Sequence, residues 1–310
     1  MAWTCYHLTF RLLSPLHVGR HKVGNIQRTR AYLPGKNLWA ALTARLTRGG
    51  QAGEFPLPVA ACYEAVGEAV RRNLAFSYFY LLTLGEGVAF YPRLTKAGLV
   101  YGPKRLDERE FQWRFLSSYA STALDYQAKA AEEGSLHEVE YLSPHVRNNG
   151  EPVFLTGYII EHDDSPRLPW RQVLDRLQVG GEQGYGWGRL KRVGEGAPQP
   201  LPPGEKLFDL YTIVPDVWPP QLSLDEEAPL LAHALAVEFK EDNLVHYPLE
   251  GLEGPLEPLV GREWDNRGRT GAGRLVSPAR ICYVPGSIVA PGTCIQIGPY
   301  GIWEAVSTES

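Results

Sequence analysis

The sequence predicts an α+β protein in two units, a mixed first unit and a smaller, β-rich second unit. Three observations predict this class. Residues 3–13 alternate apolar and polar side chains as a half-buried strand does. Residues 33–46 and 169–177 instead carry apolar side chains at helical spacing. Residues 195–206 are rich in proline and glycine and form a linker, which divides the chain into residues 1–194 and 207–310.

The elements of the first unit follow one another in a recognisable order. Pro34-Gly35 marks the start of the first helix within residues 33–46. Residues 56–74 continue helically. Residues 105–135 are charged and periodic, and we expect them to form a helical insertion. Strands are predicted at residues 75–83, at 138–142 and 152–160 on either side of the turn signal Asn148-Asn149-Gly150, and at 189–193. With the helix at 169–177, the main elements give the βαββαβ order of a ferredoxin-like domain with insertions.

The second unit is predicted to consist mostly of strands. The strand candidates are residues 207–214, 234–239, 280–284 and 294–298, and residues 229–236 are expected to form a short helix. A degenerate second ferredoxin-like domain is one interpretation of this unit, although the sequence shows no convincing internal repeat.

The overall composition is that of an ordinary globular protein. Of the 310 residues, 44% are hydrophobic and 21% are charged, and no apolar run reaches the length of a membrane span. The four cysteines are too sparse for a disulfide framework and lack the spacing of metal ligands. We therefore expect a cytoplasmic protein with no metal, no cofactor and no membrane partner.

The net charge of −4 hides a marked asymmetry along the chain. The first 51 residues contain no acid and carry a charge of +8, which leaves −12 for the rest of the chain. Residues 222–257 contain nine acids and one lysine. An acid-free basic arm favours a polyanionic ligand over a merely solvated surface, and we expect the acidic second unit to face a protein neighbour.

Residues 180–190 read GGEQGYGWGRL, with five glycines in nine positions. The stretch follows a helix and opens a strand, so it is not a dinucleotide fingerprint, and it lacks the pattern of a P-loop. One interpretation is a tight hairpin with core aromatics. The number of glycines favours the other, a backbone nest that a sugar–phosphate chain approaches closely, with Tyr185 and Trp187 as stacking faces.

His17 lies just after the first strand, beside Arg20, His21 and Lys22. A lone histidine is more often structural than catalytic, and the sequence identifies no partner for general acid catalysis. In this basic loop His17 is a candidate contact to a phosphate or a ribose 2′-hydroxyl.

Three motifs carry a resemblance to a known family. SPLHVGR follows the first strand, YLPGKNLWAAL opens the first helix, and GGEQGYGWGRL precedes the last strand of the first unit. In this order they resemble the RAMP superfamily of CRISPR proteins, ferredoxin-like RNA-binding subunits with a glycine-rich loop. The S-x-L-H-x-G and P-G-x-x-L pair looks most like type III effector subunits. The tail RICYVPGSIVAPG is similar to the larger two-domain members that cap the 5′ handle of the guide RNA.

The resemblance implies partners as well as a fold. These are guide RNA, the large signalling subunit and the backbone RAMP subunits of an effector complex. Backbone subunits that cleave target RNA carry an aspartate between the first two motifs, whereas residues 20–31 contain no acid. Two alternatives stay open: a target-RNA-cleaving backbone subunit, and a metal-independent endoribonuclease that processes the repeat transcript with His17 or His21 as the general acid.

We therefore expect a non-catalytic RNA-binding subunit of a type III CRISPR effector ribonucleoprotein, one that binds the 5′ handle. No catalytic residue is assigned. The expected RNA contacts are His17, Gly19, Arg20, His21, Lys22, Arg28, Arg30, Lys36, Asn37, Gly180, Gly181, Gly184, Tyr185, Gly186, Trp187, Gly188 and Arg189.

Overall fold

The computed structural model describes residues 2–48, 59–163, 168–240, 243–265 and 271–306. Its three α-helices are α1 (Gly35–Thr47), α2 (Val59–Asn73) and α3 (Glu108–Phe115). The strands up to residue 194 are β1 (Trp3–Leu12), β2 (Gly19–Val23), β3 (Ile26–Thr29), β4 (Tyr32–Leu33), β5 (Leu74–Phe76), β6 (Phe79–Leu82), β7 (Pro92–Thr95), β8 (Gly98–Tyr101), β9 (Leu106–Asp107), β10 (Leu116–Ser121), β11 (Leu124–Asp125), β12 (Ala130–Ala131), β13 (His137–Leu142), β14 (Phe154–His162) and β15 (Leu190–Arg192).

The strands after the linker are β16 (Thr212–Ile213), β17 (Gln221–Ser223), β18 (Ala228–Pro229), β19 (Ala234–Lys240), β20 (Asn243–His246), β21 (Leu252–Glu253), β22 (Leu256–Leu259), β23 (Arg262–Asp265), β24 (Gly271–Val276), β25 (Arg280–Tyr283), β26 (Ile288–Val289), β27 (Cys294–Ile297) and β28 (Trp303–Ala305). The chain is thus a mixed α+β protein, and the α-helices of its described residues lie in the first unit.

The central sheet of the first unit is antiparallel, in the order β15-β1-β14-β6-β4, with β5 also pairing with β14. The strand predicted at residues 75–83 is split into β5 and β6. Between them, the Ser77 hydroxyl accepts a 2.7 Å hydrogen bond from the N–H of Tyr158. A side chain therefore replaces a backbone acceptor at this point of the ladder.

One face of the central sheet is covered by helical elements. Leu8, Phe10 and Leu12 of β1 are buried in one cluster with Leu38 and Leu42 of α1. The predicted helix at 169–177 is a 3-10 helix, Trp170–Arg176, and its apolar side is buried in the same cluster as expected. The predicted helix at 56–74 corresponds to α2, while residues 56–58 lie outside the described part of the chain.

The opposite face of the central sheet is covered by the second unit. Tyr78, Tyr80 and Tyr158 of the sheet are buried in one cluster with Phe208 and Trp303. The hydroxyl of Tyr158 accepts a 3.1 Å hydrogen bond from the N–H of Phe208, and the two rings lie 4.9 Å apart. Because the two units share this cluster, the sheet has no free face among its described residues.

The predicted helical insertion at 105–135 is mostly wrong. Only α3 is helical there, and β10, β11 and β12 follow it. Because β10 is a strand, successive side chains from Ser117 to Ser121 lie on opposite faces, with Tyr119 on the face opposite Ser118 and Ala120.

A second sheet forms beside the central one. The basic stretch after β1, predicted as a loop, is the hairpin β2–β3, and the strand order is β10-β13-β3-β2. The predicted strands at 138–142 and 152–160 both exist, as β13 and β14, but they belong to different sheets and do not pair as a hairpin.

The second unit is β-rich, as the sequence indicates, and is centred on an eight-stranded sheet in the order β16-β17-β27-β28-β19-β25-β22, with β20 paired to β19. The helix predicted at 229–236 is wrong, because residues 230–233 are irregular and β19 begins at residue 234. Residues 230–235 are all buried. A short apolar run of this kind does not distinguish helix from strand by its periodicity.

None of the described helices is long and apolar enough to cross a membrane.

Candidate nucleic-acid interface

The glycine-rich loop at residues 180–189 is joined to the segment that follows β1. The N–H of Gly181 donates a 2.8 Å hydrogen bond to the carbonyl of His17, and the N–H of Gly188 donates one of 2.7 Å to the carbonyl of Pro15. Two of the glycines are required by this packing. A Cβ on Gly180 would lie 2.3 Å from the His17 carbonyl oxygen, and one on Gly188 would lie 1.8 Å from that of Val179. At these positions the approaching group is the protein's own backbone.

The rest of the loop is open to solvent. No heavy atom lies within 4 Å of a Cβ built on Gly184 or Gly186, and Tyr185 between them is 80% exposed. The Gln178 side-chain amide holds the loop closed by donating to the carbonyls of Gln183 at 3.0 Å and Trp187 at 2.9 Å. Tyr185 therefore projects into solvent from a turn that the Gln178 side chain stabilises.

His17 is buried beneath the loop, and one of its ring nitrogens has a fixed hydrogen-bond partner. Its Nδ1 lies 2.7 Å from the carbonyl oxygen of Glu140, and since a carbonyl only accepts, Nδ1 carries the proton and donates. The other nitrogen, Nε2, lies 3.6 Å from the position of a Cβ on Gly19, which is exposed. The loop, His17 and the start of β2 thus meet at one place.

The same place carries three packed aromatic rings. Trp187 of the loop contacts Tyr141 of β13 edge to face at 5.0 Å and Tyr119 of β10 at 6.4 Å. Neither tyrosine was among the residues expected from the sequence. The interpretation of residues 105–135 as helical concealed the strand that carries Tyr119, whose sequence LSSYAS holds a single aromatic residue.

Three of the expected contact residues on the basic hairpin are exposed. These are Arg20, His21 and Lys22 of β2, and of the three only Arg20 contacts a carboxylate of the described part of the chain, with its Nη2 3.4 Å from Glu257 Oε2. Arg189 at the end of the loop is exposed as well.

Two other expected cations are held by carboxylates. Arg28 lies 3.4 Å from Glu140, and the buried Arg30 lies 2.5 Å from Glu257 of the second unit. Arg30 is 6% exposed, so its guanidinium is not presented to a phosphate at the surface. The two arginines are apparent in the sequence, but their pairing is not. Glu140 lies 112 positions after Arg28, and Glu257 lies 227 positions after Arg30.

Lys36 and Asn37 lie at a different place. Both are half-buried in the first turn of α1, where the Lys36 ammonium lies 5.3 Å from the centre of the Tyr300 ring. The loop leads into β15 at one edge of the central sheet, whereas α1 follows β4 at the other edge. The expected set of contacts is therefore divided between two regions.

A buried polar network joins the hairpin to the second unit. His233 lies 2.7 Å from Glu257 Oε1 through Nε2, and 2.7 Å from the Tyr78 hydroxyl through Nδ1. Burial lowers the pKa of His233 to about 4. Partial burial alone would raise the pKa of Glu257, but the hydrogen bond from His233 and the charge of Arg30 outweigh it and hold that pKa well below its ordinary value. Neutral His233 therefore donates through Nε2 to ionised Glu257 and accepts from Tyr78.

The part of the chain that the structure describes contains no group of three His, Cys, Asp or Glu side chains placed to hold a metal ion. Cys5 and Cys282 are free and buried, and burial raises the pKa of each thiol to about 12.

Two of the solved structures similar to this chain match it over nearly its whole length. One is the cryo-EM structure of the type III-B Cmr-beta bound to cognate target RNA and AMPPnP, state 1, with a TM-score of 0.51, 12% identity, and coverage of 92% of this chain and 86% of that chain. The other is the type III-B Cmr-beta bound to cognate target RNA, with a TM-score of 0.51, 11% identity and the same coverage. This chain has the fold of a Cmr-beta chain.

The resemblance to type III effector subunits that the three motifs indicate is thereby confirmed at the level of the fold. No protein-family model matches the sequence, and no curated protein matches it. At 11–12% identity the Cmr-beta matches show the fold, and the assignment of individual residues depends on the geometry described above.

Proposed function

We propose that this chain is a non-catalytic RNA-binding subunit of a type III CRISPR effector ribonucleoprotein, with its first unit a ferredoxin-like domain. The β15-β1-β14-β6 part of the central sheet supports the fold assignment, because it places the strands predicted at residues 189–193, 3–13, 152–160 and 75–83 side by side, all antiparallel. The guide RNA, at its 5′ handle, is the proposed ligand.

One observation carries the proposal. The glycine-rich loop and the acid-free basic hairpin, more than 150 residues apart in sequence, meet at His17. Exposed Lys22 and Arg189 supply positive charge there, and Tyr119, Tyr141 and Trp187 supply aromatic surface. A cationic surface with interleaved aromatic rings is the usual platform for single-stranded nucleic acid.

His17 fits a binding role better than a catalytic one. Its Nδ1 donates to a backbone carbonyl, which leaves Nε2 beside Gly19 as the ring nitrogen that can accept a hydrogen bond from a ligand. A ribose 2′-hydroxyl donates to such an acceptor, whereas a phosphate does not. This supports RNA over DNA as the ligand.

The exposed acids of the second unit support a contact with a protein rather than with RNA. Asp225, Glu226, Glu227, Glu250 and Glu253 are all exposed, and we propose that they face a neighbouring subunit of the complex.

Salt-dependent binding tests the proposal directly. Fluorescence anisotropy of labelled guide RNA is measured from 50 to 300 mM salt for the wild type, Lys22→Gln with Arg189→Gln, and Lys96→Gln, which changes an exposed lysine of the β7–β8 turn. Each phosphate contact to a single strand contributes about 0.7 to the slope of log affinity against log salt. The double variant should reduce the slope by about 1.4, and Lys96→Gln should leave it unchanged.

A cleavage assay tests the non-catalytic part. Purified protein incubated with repeat RNA in the absence of metal should leave the RNA intact. Discrete products that His17→Ala abolishes would overturn the proposal in favour of an endoribonuclease. The absence of any RNA binding at 50 mM salt would overturn it in favour of a protein-interaction module.

A further inference from the structure

We infer that Tyr119 stacks on an unpaired base of the bound RNA strand, an inference that rests on the proposed function and assigns a base-binding position within it. Tyr119 is 59% exposed although it lies on a strand and contacts Trp187. Its neighbours Ser118 and Ala120 along β10 are small. More than half of the Tyr119 surface is therefore open to a ligand.

The register of the second sheet places Tyr119 in a row that ends at a cation. Tyr119 pairs with Val139, Val139 with Gln27, and Gln27 with Lys22, one residue from each of the four strands. Paired residues share a face of the sheet, and three strand spacings make roughly 14 Å from Tyr119 to Lys22. A short stretch of one RNA strand can contact both.

The two faces of this sheet differ in charge. The next row pairs Ala120 with Glu138 and Glu138 with Ile26, and Glu140 pairs with Ser118, so both β13 carboxylates lie on the face away from Tyr119. Arg28 contacts Glu140 on that other face. The strand residues on the Tyr119 face carry positive charge from Lys22 and no carboxylate.

Trp187 gives the Tyr119 ring a fixed neighbour. It packs edge to face on Tyr141 at 5.0 Å, is half-buried, and belongs to the loop that Gln178 closes. A ring already held on one side loses little conformational freedom when a base stacks on it, which favours binding.

Charge and aromaticity together specify the occupant as single-stranded RNA. Phosphates match Lys22, and a base matches the face of Tyr119, because every base offers a π surface. Paired bases are already stacked within the duplex and do not present their faces. The surface should therefore bind single-stranded RNA in preference to double-stranded RNA.

The test combines protein variants with abasic RNA. Affinities of an unstructured guide-length RNA, and of the same RNA with one abasic position moved along its 5′ segment, are measured by anisotropy for the full-length wild type, Tyr119→Ala, Tyr119→Phe and Tyr126→Ala. Tyr126 is 86% exposed at the turn between β11 and β12, off the row, and serves as the matched control.

Tyr119→Ala should weaken binding about 5- to 100-fold, as expected for loss of one base–aromatic stack. Tyr119→Phe should stay within about twofold of the wild type, because the ring is kept. At one abasic position the wild type should lose affinity, whereas the already weaker affinity of Tyr119→Ala should not fall further. The reason is that both changes remove the same contact. Tyr126→Ala should bind like the wild type.

Three results would overturn the inference while leaving the proposed function in place. The first is a folded Tyr119→Ala variant that binds RNA with the affinity and the salt slope of the wild type. The second is an additive effect of Tyr119→Ala and every abasic position. The third is unchanged RNA affinity with loss of co-purifying subunits, which would place a protein on Tyr119. A wild type that binds no RNA at low salt would refute the proposed function itself.

Discussion

Gly180 and Gly188 occupy positions at which the chain's own backbone leaves no room for a side chain. Both have positive φ, +79° and +75°, and both face a carbonyl of a neighbouring segment. Gly184, by contrast, is open on every side and has ordinary φ. The glycines of one loop therefore serve different purposes, and only some of them are available to a ligand.

This difference predicts opposite results for two similar substitutions. Gly188→Ala should lower the free energy of unfolding by roughly 2–4 kcal/mol, because it combines a strained φ with a collision against Val179. Gly184→Ala should change it by at most about 1 kcal/mol, with any change favouring the folded state. Urea unfolding followed by circular dichroism measures both. Equal losses for the two variants would contradict this account of the loop.

At the scale of elements, the hairpin β2–β3 is fixed at its base by the second unit. Arg30 follows β3, and Glu257 of β22 contacts both Arg30 and Arg20. Arg30 is deeply buried, so its charge depends on Glu257 for compensation. The ion pair thus couples the position of the proposed RNA-binding hairpin to the second unit.

Removal of one member of this pair should be costly. Glu257→Gln should lower the free energy of unfolding by about 3 kcal/mol, because it leaves the buried Arg30 charge uncompensated. The double variant Arg30→Met with Glu257→Leu should lose less stability than the sum of the losses of Arg30→Met alone and Glu257→Leu alone. A double-mutant cycle by urea unfolding measures this difference. Glu68→Gln, at an exposed pair with Arg71, should cost less than about 1 kcal/mol and serves as the control. Strict additivity at Arg30 and Glu257 would argue against the coupling.

At the scale of the whole molecule, the two units are joined through a shared core. The tyrosine-rich face of the central sheet is buried under the second unit, with neutral His233 at the junction beside Tyr78 and Glu257. This face of the central sheet is not accessible to the bases of an RNA strand, because the second unit covers it. The proposed RNA surface lies instead on the second sheet.

Acid should destabilise this junction. The pKa of His233 is lowered from 6.5 to about 4, so between those values the unfolded chain binds a proton that the folded chain does not. The contribution of His233 to the free energy of unfolding is therefore fully present above pH 6.5. It falls by about 3 kcal/mol as the pH drops toward 4. The lowered pKa of Glu257 adds loss in the same direction at lower pH.

Urea unfolding at pH 7, 6 and 5 measures the effect. His233→Gln should flatten the decline, whereas His21→Gln, at an exposed position, should leave it unchanged. Parallel declines for the wild type and His233→Gln would show that His233 is not the titrating group.

The strands and helices that carry clear periodicity were predictable from the sequence, among them β1, α1, β14, β25 and β27. Where periodicity was ambiguous the prediction was wrong, at residues 105–135 and 229–236. The first range contains the short helix α3 followed by the mostly polar strand β10, and the second is an apolar run whose residues 230–235 are all buried. In both cases tertiary pairing, rather than local propensity, decides the structure.

The sequence by itself determined the charge asymmetry, the glycine-rich loop and the motifs that resemble type III effector subunits, since these depend only on which residues stand near one another along the chain. Only the tertiary structure decided which cations stay exposed and which aromatic rings join them. Arg30 meets Glu257, and Trp187 meets Tyr119, through contacts between residues 227 and 68 positions apart. No local pattern encodes such contacts, because they depend on how the two units and the second sheet pack.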